Sequence, residues 1–195
     1  MHLSKQRKIP VSTEYVDDIK MVAAQTKDVL IDSARRLLIL TTGGTIDKSY
    51  FDALSAYQVG ESQVSNILDI ARNTYPTEIR ELFRKDSLEL TDDDRALIAA
   101  TVTAAPQRGI VITHGTDTLT LTAQAIGRPA GKTIVLVGAL APARFNDSDA
   151  PFNLGMALGV AQSAPPGIYV TMNGTVFDAS AVRKDRDLGA FVSAS

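Results

Sequence analysis

From about residue 35 onward, short continuous apolar runs alternate with longer stretches in which apolar residues recur at helical spacing. Apolar runs of this length indicate strands that are buried on both faces of a sheet. An alternation of such strands with helices is typical of an α/β fold, a mostly parallel sheet with helices on both faces. The pattern predicts strands at 37–40, 79–83, 109–113, 133–137 and 168–171, and helices at 61–72, 91–104, 118–126 and 151–163.

Capping and turn residues at the ends of these segments support the same elements. Thr91, followed three residues later by Asp94, is typical of a helix start, because each side chain can bind the other residue's backbone N–H. Asn173-Gly174 follows an apolar run directly and is a strong signal for a two-residue hairpin turn. We therefore expect a hairpin turn directly after the strand at 168–171.

The first 33 residues have a different pattern. After Ser12, a suitable N-cap, apolar side chains recur at helical spacing among charged ones. We interpret residues 1–33 as an N-terminal extension that forms an amphipathic helix docked on the body or on a partner. The alternative is an added leader segment that is partly disordered. Residues 34–195 then form one α/β domain.

The amino-acid composition limits the kinds of chemistry and binding that the protein can perform. The 195-residue chain is 45% hydrophobic and 22% charged, which is ordinary for a globular domain, and its net charge of −2 argues against nucleic-acid binding. It contains no cysteine and only two histidines, so we expect no cysteine-ligated or histidine-rich metal site. No segment resembles a signal peptide or a membrane span. We therefore expect a cytoplasmic protein without a membrane partner.

Two polar, glycine-containing loops, residues 41–47 and 114–118, follow two of the predicted strands. Ligands of parallel sheets bind beyond the carboxyl ends of the strands, so these loops predict an active site. Thr45 could act as a nucleophile there if a neighbour takes its proton. On spacing alone, the first loop could equally be a plain turn, and Thr116 or Asp117 could simply cap the following helix.

Taken together, the two loops resemble signatures of the bacterial-type L-asparaginase family. That family has a Thr-Gly-Gly-Thr-Ile element after the first strand and a Thr-His-Gly-Thr-Asp-Thr element later, which stand here at 42–46 and 113–118. Similarity extends over about residues 35–190 and includes Val-Gly-Ala-Leu at 137–140 and Pro-Phe-Asn-Leu at 151–154. The resemblance implies the α/β fold of the family's N-terminal domain and amide hydrolysis without metal or cofactor.

The resemblance also implies catalytic roles. Thr45 resembles the primary nucleophile, which forms an acyl-enzyme and releases ammonia. Tyr57 resembles a tyrosine on the mobile loop that closes over the substrate. Thr116, Asp117 and Lys184 resemble a second catalytic cluster, although Lys184 in its charged stretch would otherwise be interpreted as solvated surface.

The same resemblance implies a set of substrate contacts. Ser87 and nearby N–H groups would hold the α-carboxylate, and Asp117 would hold the α-ammonium group. His114 is expected to be a packed structural residue, since the family does not use it chemically. The expected substrate-binding residues are Gly44, Ser87, Leu88, Gly115, Thr116 and Asp117.

Three features depart from the family pattern. The chain ends eleven residues after Lys184, where most members continue into a C-terminal domain, so it resembles a short form without that domain. Because a neighbouring subunit's second domain helps to hold the substrate in long members, we expect weaker substrate binding here. Asp47 stands where members usually carry a small apolar residue, and Leu88 where many carry a polar one.

The leading hypothesis is an L-asparagine amidohydrolase with weak or no glutaminase activity that assembles as a homo-oligomer, a dimer or a tetramer. One alternative is the ammonia-supplying amidase subunit of a tRNA-dependent amidotransferase. That subunit shares both threonine motifs but normally carries a larger N-terminal domain than residues 12–32 could form. Another is an amino-acid-binding or sensing module that keeps the pocket without turnover. Release of ammonia by the wild-type chain distinguishes the enzymes from the module.

Overall fold

A computed structural model describes residues 33–51, 56–128 and 130–194, and its contacts group Ala34–Ser195 into one compact unit. The helices are α1 (Val64–Ile70), α2 (Asp92–Ala104), α3 (Leu119–Ile126) and α4 (Ala150–Ser163). The strands are β1 (Leu37–Gly43), β2 (Lys48–Phe51), β3 (Ala56–Val59), β4 (Thr77–Lys85), β5 (Gly109–Thr113), β6 (Thr133–Val137), β7 (Gly167–Met172), β8 (Thr175–Asp178), β9 (Val182–Asp185) and β10 (Ala190–Ser193).

The main sheet has the strand order β4-β1-β5-β6-β7-β8. Its neighbouring strands are parallel except for β8, which pairs antiparallel with β7. The turn between these two strands is the predicted one, because Asn173 and Gly174 both have positive φ angles, 53° and 72°. The expectation of a mostly parallel sheet ending in a hairpin is therefore confirmed.

Apolar side chains on alternate strand positions build a core on each face of the sheet. Leu38 and Leu40 of β1 pack in a cluster that includes residues of α2 and α3. Leu37 and Ile39, on the opposite face, pack in a second cluster with residues of α1 and α4. Burial on both faces explains why the strands are continuously apolar. The predicted α/β architecture with helices on both faces is confirmed.

The structure differs from the predictions mainly in short elements. The helix expected over 61–72 spans only Val64–Ile70, because Gln63 is its N-cap and Arg72, with a positive φ of 51°, cannot continue it. The hairpins β2-β3 and β9-β10 were not predicted, since their strands have four residues each and lack a continuous apolar pattern. The predicted extension, residues 1–33, lies outside the described residues except for Ser33.

In the ranges that the structure covers, no helix has both the length and the apolar character needed to cross a bilayer.

Candidate active site

The two glycine-containing loops emerge side by side because β1 and β5 are neighbouring parallel strands. Thr41 of β1 lies in register with Thr113 of β5, the last residue before the second loop. A Cβ atom at Gly44 would lie 2.4 Å from the backbone nitrogen of Gly115. Only glycine permits such a close approach, and Gly44 also has a positive φ of 85°. The sequence motifs thus form one continuous surface at the carboxyl end of the sheet.

Thr45 begins a short 3-10 turn, Thr45–Asp47, directly after β1. Gly43, with a φ of 95°, lies so close to β4 that a Cβ atom there would be 2.5 Å from the carbonyl oxygen of Lys85. The backbone N–H of Gly44 donates to that same carbonyl at 3.0 Å. The glycine pair therefore lets the chain turn sharply against β4 and leaves the Thr45 side chain partly exposed.

Ser87 joins these loops from β4, the other neighbour of β1. It begins the 3-10 turn Ser87–Glu89, and a Cβ atom at Gly115 would lie 2.6 Å from its hydroxyl oxygen. Thr118 Oγ1 donates to the Ser87 carbonyl at 2.7 Å and fixes the turn. The Ser87 side chain is buried, and among the described residues its hydroxyl has no hydrogen-bond partner. A polar ligand group could satisfy this hydroxyl.

The side chains of Thr116, Asp117 and Lys184 contact one another at the second loop, residues 114–118. Lys184 Nζ donates to Thr116 Oγ1 at 2.7 Å and to Asp117 Oδ1 at 2.9 Å. The Asp117 carboxylate also lies 3.8 Å from the guanidinium of Arg186, a contact that the sequence did not suggest. Neither Thr116 nor Asp117 caps the following helix, because the N-cap of α3 is Thr118. The interpretation of these two residues as simple caps is therefore wrong.

Lys184 reaches this cluster because the β9-β10 hairpin is anchored to the hydrophobic core and to the turn after β7. Lys184 pairs with Phe191 across the hairpin, and Phe191 is buried in the core. The backbone N–H of Phe191 donates to Asn173 Oδ1 at 2.8 Å, so the turn after β7 anchors the hairpin. The lysine side chain remains 20% exposed. It is neither solvated surface nor a fully buried amine.

Tyr57 lies on strand β3 rather than on the loop suggested by the resemblance. Its ring contacts Tyr50 on β2 and Phe145 edge to face, with centroids 5.6 and 6.1 Å apart. Half of the side chain is exposed, and within the described part of the chain its hydroxyl makes no hydrogen bond to Thr45. A catalytic role for Tyr57 therefore stays a prediction.

An open cleft of about 560 Å³ runs between the β2-β3 hairpin and the turn after β4. Its lining includes Tyr57, Leu88 and an ion pair between Lys48 and Asp86, whose charged atoms are 2.7 Å apart. Leu88 is 68% exposed and offers no polar group to a ligand. A second cleft of about 630 Å³ lies around Gly167, at the amino end of β7, and none of the predicted site residues lines it.

His114 is a structural residue in this fold. It is completely buried, and burial lowers the pKa of its imidazole to about 4. Nδ1 lies 2.7 Å from the Gly115 carbonyl oxygen, which can only accept, so Nδ1 carries the proton and Nε2 accepts from the Thr122 hydroxyl. A neutral imidazole with both nitrogens occupied holds the 114–118 loop and is not available as a base.

Asp47, which sequence reasoning treated only as a departure from the family, is buried two residues after Thr45. Its Oδ1 accepts the backbone N–H of Gln63, the N-cap of α1, at 2.8 Å. Burial raises the pKa of this carboxyl to about 6, against an ordinary value of 3.8. No hydrophobic pattern could have revealed the contact, because it joins two loops sixteen residues apart.

We expect Asp47→Asn to raise the free energy of unfolding at pH 8 by roughly 3 kcal/mol, because the buried carboxylate is replaced by a neutral amide of similar shape. Between pH 3.8 and 6 the folded state holds the proton more tightly than the unfolded chain. The stability that Asp47 contributes is therefore complete below pH 3.8 and lost as the pH rises through 6. Urea denaturation at pH 4 and pH 8 measures this, and equal gains at both would contradict it.

The residues that the structure covers include no group of three or more histidine, cysteine, aspartate or glutamate side chains arranged to hold a metal ion. The chemistry available at the two loops is that of hydroxyls, the pair of Lys184 with Asp117 and backbone N–H groups. This set suits acyl transfer by a threonine, in which a hydroxyl attacks a carbonyl and a neighbouring group moves the proton.

Comparison with known proteins finds similarity to asparaginases in both sequence and structure. The family model "Asparaginase, N-terminal" matches residues 36–194. An L-asparaginase of Thermococcus kodakarensis is 36% identical over 164 residues, 79% of this chain and 49% of its own length. The solved structure of a probable cytoplasmic L-asparaginase of Campylobacter jejuni aligns with a TM-score of 0.71 and 28% identity, over 81% of this chain and 53% of that one.

A relative with a different description also matches. One subunit of the glutamyl-tRNA(Gln) amidotransferase of Pyrococcus furiosus is 32% identical over 152 residues, 73% of this chain and 34% of its own length. The chain spans about half the length, or less, of these curated relatives. The match covers nearly all of the described residues, with both threonine loops inside it. The chain therefore belongs to the asparaginase family, in the region that corresponds to the family's N-terminal domain.

Proposed function

We propose that this protein hydrolyses the side-chain amide of L-asparagine to aspartate and ammonia through an acyl-enzyme on Thr45. The observation that carries the proposal is the contact of Lys184 Nζ with both Thr116 Oγ1 and Asp117 Oδ1, at 2.7 and 2.9 Å. A hydroxyl joined to an amine and a carboxylate can gain and lose a proton within one cluster. This cluster stands on the loop that abuts Gly44, next to Thr45 in the chain.

The reaction then proceeds in two steps. Thr45 Oγ1 attacks the amide carbon, and backbone N–H groups of the neighbouring loops stabilise the negative charge that develops on the amide oxygen. Ammonia leaves after its nitrogen takes up the proton that Thr45 has lost. Water then attacks the ester carbon, the bond to Thr45 Oγ1 breaks, aspartate leaves, and Thr45 regains a proton that the water has lost. Thr116, oriented by Lys184, assists the proton transfers of this step.

Substrate binding uses the remaining predicted residues. The unpartnered Ser87 hydroxyl and the backbone beside Gly115 would bind the α-carboxylate, and Asp117 the α-ammonium group. Gly44 and Thr116 would lie beneath the substrate, and Leu88, which lines the neighbouring cleft, would lie at its edge. No step in this scheme requires a metal or a cofactor.

We expect the protein to prefer asparagine over glutamine by at least about tenfold in kcat/KM, which corresponds to about 1.4 kcal/mol. Leu88 makes no polar contact with a substrate, and the longer glutamine needs every anchor to hold its amide in place. A coupled assay of ammonia release on both amino acids measures the ratio. Equal values of kcat/KM for the two substrates would contradict this expectation.

Two alternative functions, an amidase subunit and a binding module, predict different results in assays of ammonia release and of binding. The similarity to an amidotransferase component supports an ammonia-supplying amidase as the second candidate. Such an amidase would gain activity when its partner and tRNA are added, whereas an asparaginase would not respond to them. A binding module would bind asparagine in calorimetry without releasing ammonia. A cytoplasmic location and a homodimer or homotetramer complete the proposal, and light scattering after gel filtration tests the oligomeric state.

A further inference from the structure

Asp47 connects three segments that converge on the candidate nucleophile. Its backbone N–H donates to the Gly44 carbonyl at 3.2 Å and closes the turn that carries Thr45. Its own carbonyl accepts the N–H of Gly60, directly after β3, at 2.9 Å. Its side chain accepts the N–H of Gln63 at 2.8 Å, where α1 begins. One residue thus holds the nucleophile turn, the Tyr57 hairpin and a core helix together.

The preceding residue extends this connection to the other side of the site. Ile46 is completely buried, and its carbonyl accepts the N–H of Ala143 at 3.1 Å. Ala143 belongs to the loop that also carries Phe145, whose ring contacts Tyr57. Displacement of the 45–47 turn would therefore disturb both the attacking hydroxyl and the packing of the tyrosine hairpin.

We propose that Asp47 is a positioning residue for Thr45, whose backbone and carboxyl oxygen tie the nucleophile turn to the base of the Tyr57 hairpin and to the start of α1. This proposal rests on the hydrolase function proposed above. The carbonyl oxygen of a neutral carboxyl and either oxygen of a carboxylate can accept the N–H of Gln63, so the side-chain bond does not depend on ionisation. Removal of the acceptor, and not its protonation, is what frees the turn.

The surroundings of the carboxyl place its titration within reach of ordinary assays. Glu81 and Arg84 face it from β4, Arg144 faces it from the loop after β6, and the Ser62 hydroxyl donates to it. Burial outweighs the two arginines and the hydrogen bonds, so the pKa of Asp47 lies at about 6. Because burial favours the neutral acid, protonation below pH 6 stabilises the folded turn and does not open it, so the connection is tested by substitution.

The test compares kcat and KM for the substrate asparagine in the wild type, Asp47→Asn and Asp47→Ala at one pH. Asp47→Asn keeps an oxygen that can accept the N–H of Gln63, so its kcat should lie within about fivefold of the wild type. Asp47→Ala removes the acceptor, so its kcat should fall by at least about thirtyfold with KM nearly unchanged. The higher kcat of Asp47→Asn is then a partial rescue by the conservative substitution.

Asp69→Asn, on the exposed side of the same helix α1, is the matched control and should behave as the wild type. Wild-type kcat in Asp47→Ala would overturn the positioning role. A loss in KM alone would overturn it as well, because a displaced nucleophile lowers kcat.

A second measurement separates this proposal from the hydrolase function. Hydrogen exchange should show faster exchange of the Gly60 and Gln63 amides in Asp47→Ala than in the wild type, by at least about tenfold. If the wild type releases no ammonia, the hydrolase proposal fails, and the positioning role in catalysis fails with it. Unchanged exchange at both amides would overturn the connection itself, whatever the activity.

Discussion

Thr45→Val should lower kcat for ammonia release from asparagine by at least about a thousandfold, equivalent to about 4 kcal/mol of transition-state stabilisation. Valine has nearly the shape of threonine but lacks the hydroxyl that attacks the amide carbon. Because the Thr45 side chain is partly exposed at the end of β1, its loss should leave the melting temperature nearly unchanged. The coupled ammonia assay and a thermal denaturation scan measure the two effects.

Two further variants make this prediction specific to the hydroxyl. Thr45→Ser restores a hydroxyl on the same carbon, so we expect it to regain most of the lost rate. Thr175→Val makes the same change at an exposed position on β8 and should keep wild-type kcat. Mass spectrometry of acid-quenched turnover should find the acyl group on the peptide that contains Thr45. An acyl group on the Thr116 peptide, with full activity in Thr45→Val, would reverse the two roles.

Lys184→Met should lower kcat/KM by about a hundredfold to a thousandfold. Methionine preserves the length of the side chain but removes both the donor to Thr116 and the cation beside Asp117. The Asp117 carboxylate would then retain only the guanidinium of Arg186, 3.8 Å away. Both the orientation of the Thr116 hydroxyl and the charge balance of the pocket would change.

Lys184→Arg separates these two contributions. Arginine keeps the positive charge but does not give up a proton in proteins, so it can stabilise Asp117 without accepting a proton from Thr116. We expect it to restore KM and to leave kcat low. Arg183→Gln, on the same strand but paired with Asp185 at the surface, should have wild-type kinetics. If Lys184→Arg kept full kcat, proton exchange with Thr116 would not limit the reaction.

The sequence predicted the elements of the core more fully than the geometry of the candidate site. Strands β5 and β6 were predicted with their observed bounds, 109–113 and 133–137, because each is an unbroken apolar run buried on both faces. The Asn173-Gly174 turn was also predictable, since positive φ at two successive positions strongly favours these residues. The β2-β3 hairpin escaped prediction because its strands are only four residues long and β3 presents mostly exposed side chains.

For the candidate site, the sequence and the family resemblance proposed residues but did not predict their geometry. The motifs at 42–46 and 113–118 pointed to Thr45 and Thr116 once their family resemblance was recognised. The Lys184 contact to Thr116 bridges 68 positions and depends on a hairpin whose strands the sequence did not indicate. The contact of Asp47 with Gln63 was missed for the same reason, because the two residues come close only when both loops fold onto β1.

The sequence by itself determined the α/β class, the order of most of its strands and helices, and the residue types of the candidate chemistry. Local apolar periodicity and short-range turn preferences are sufficient for these, since they act over a few neighbouring residues. Only the tertiary structure decided that Gly44, Gly115 and Ser87 touch, that Lys184 is largely enclosed beside Thr116, and that Asp47 is buried. Such features depend on desolvation and on close approach between distant segments, which no local pattern encodes.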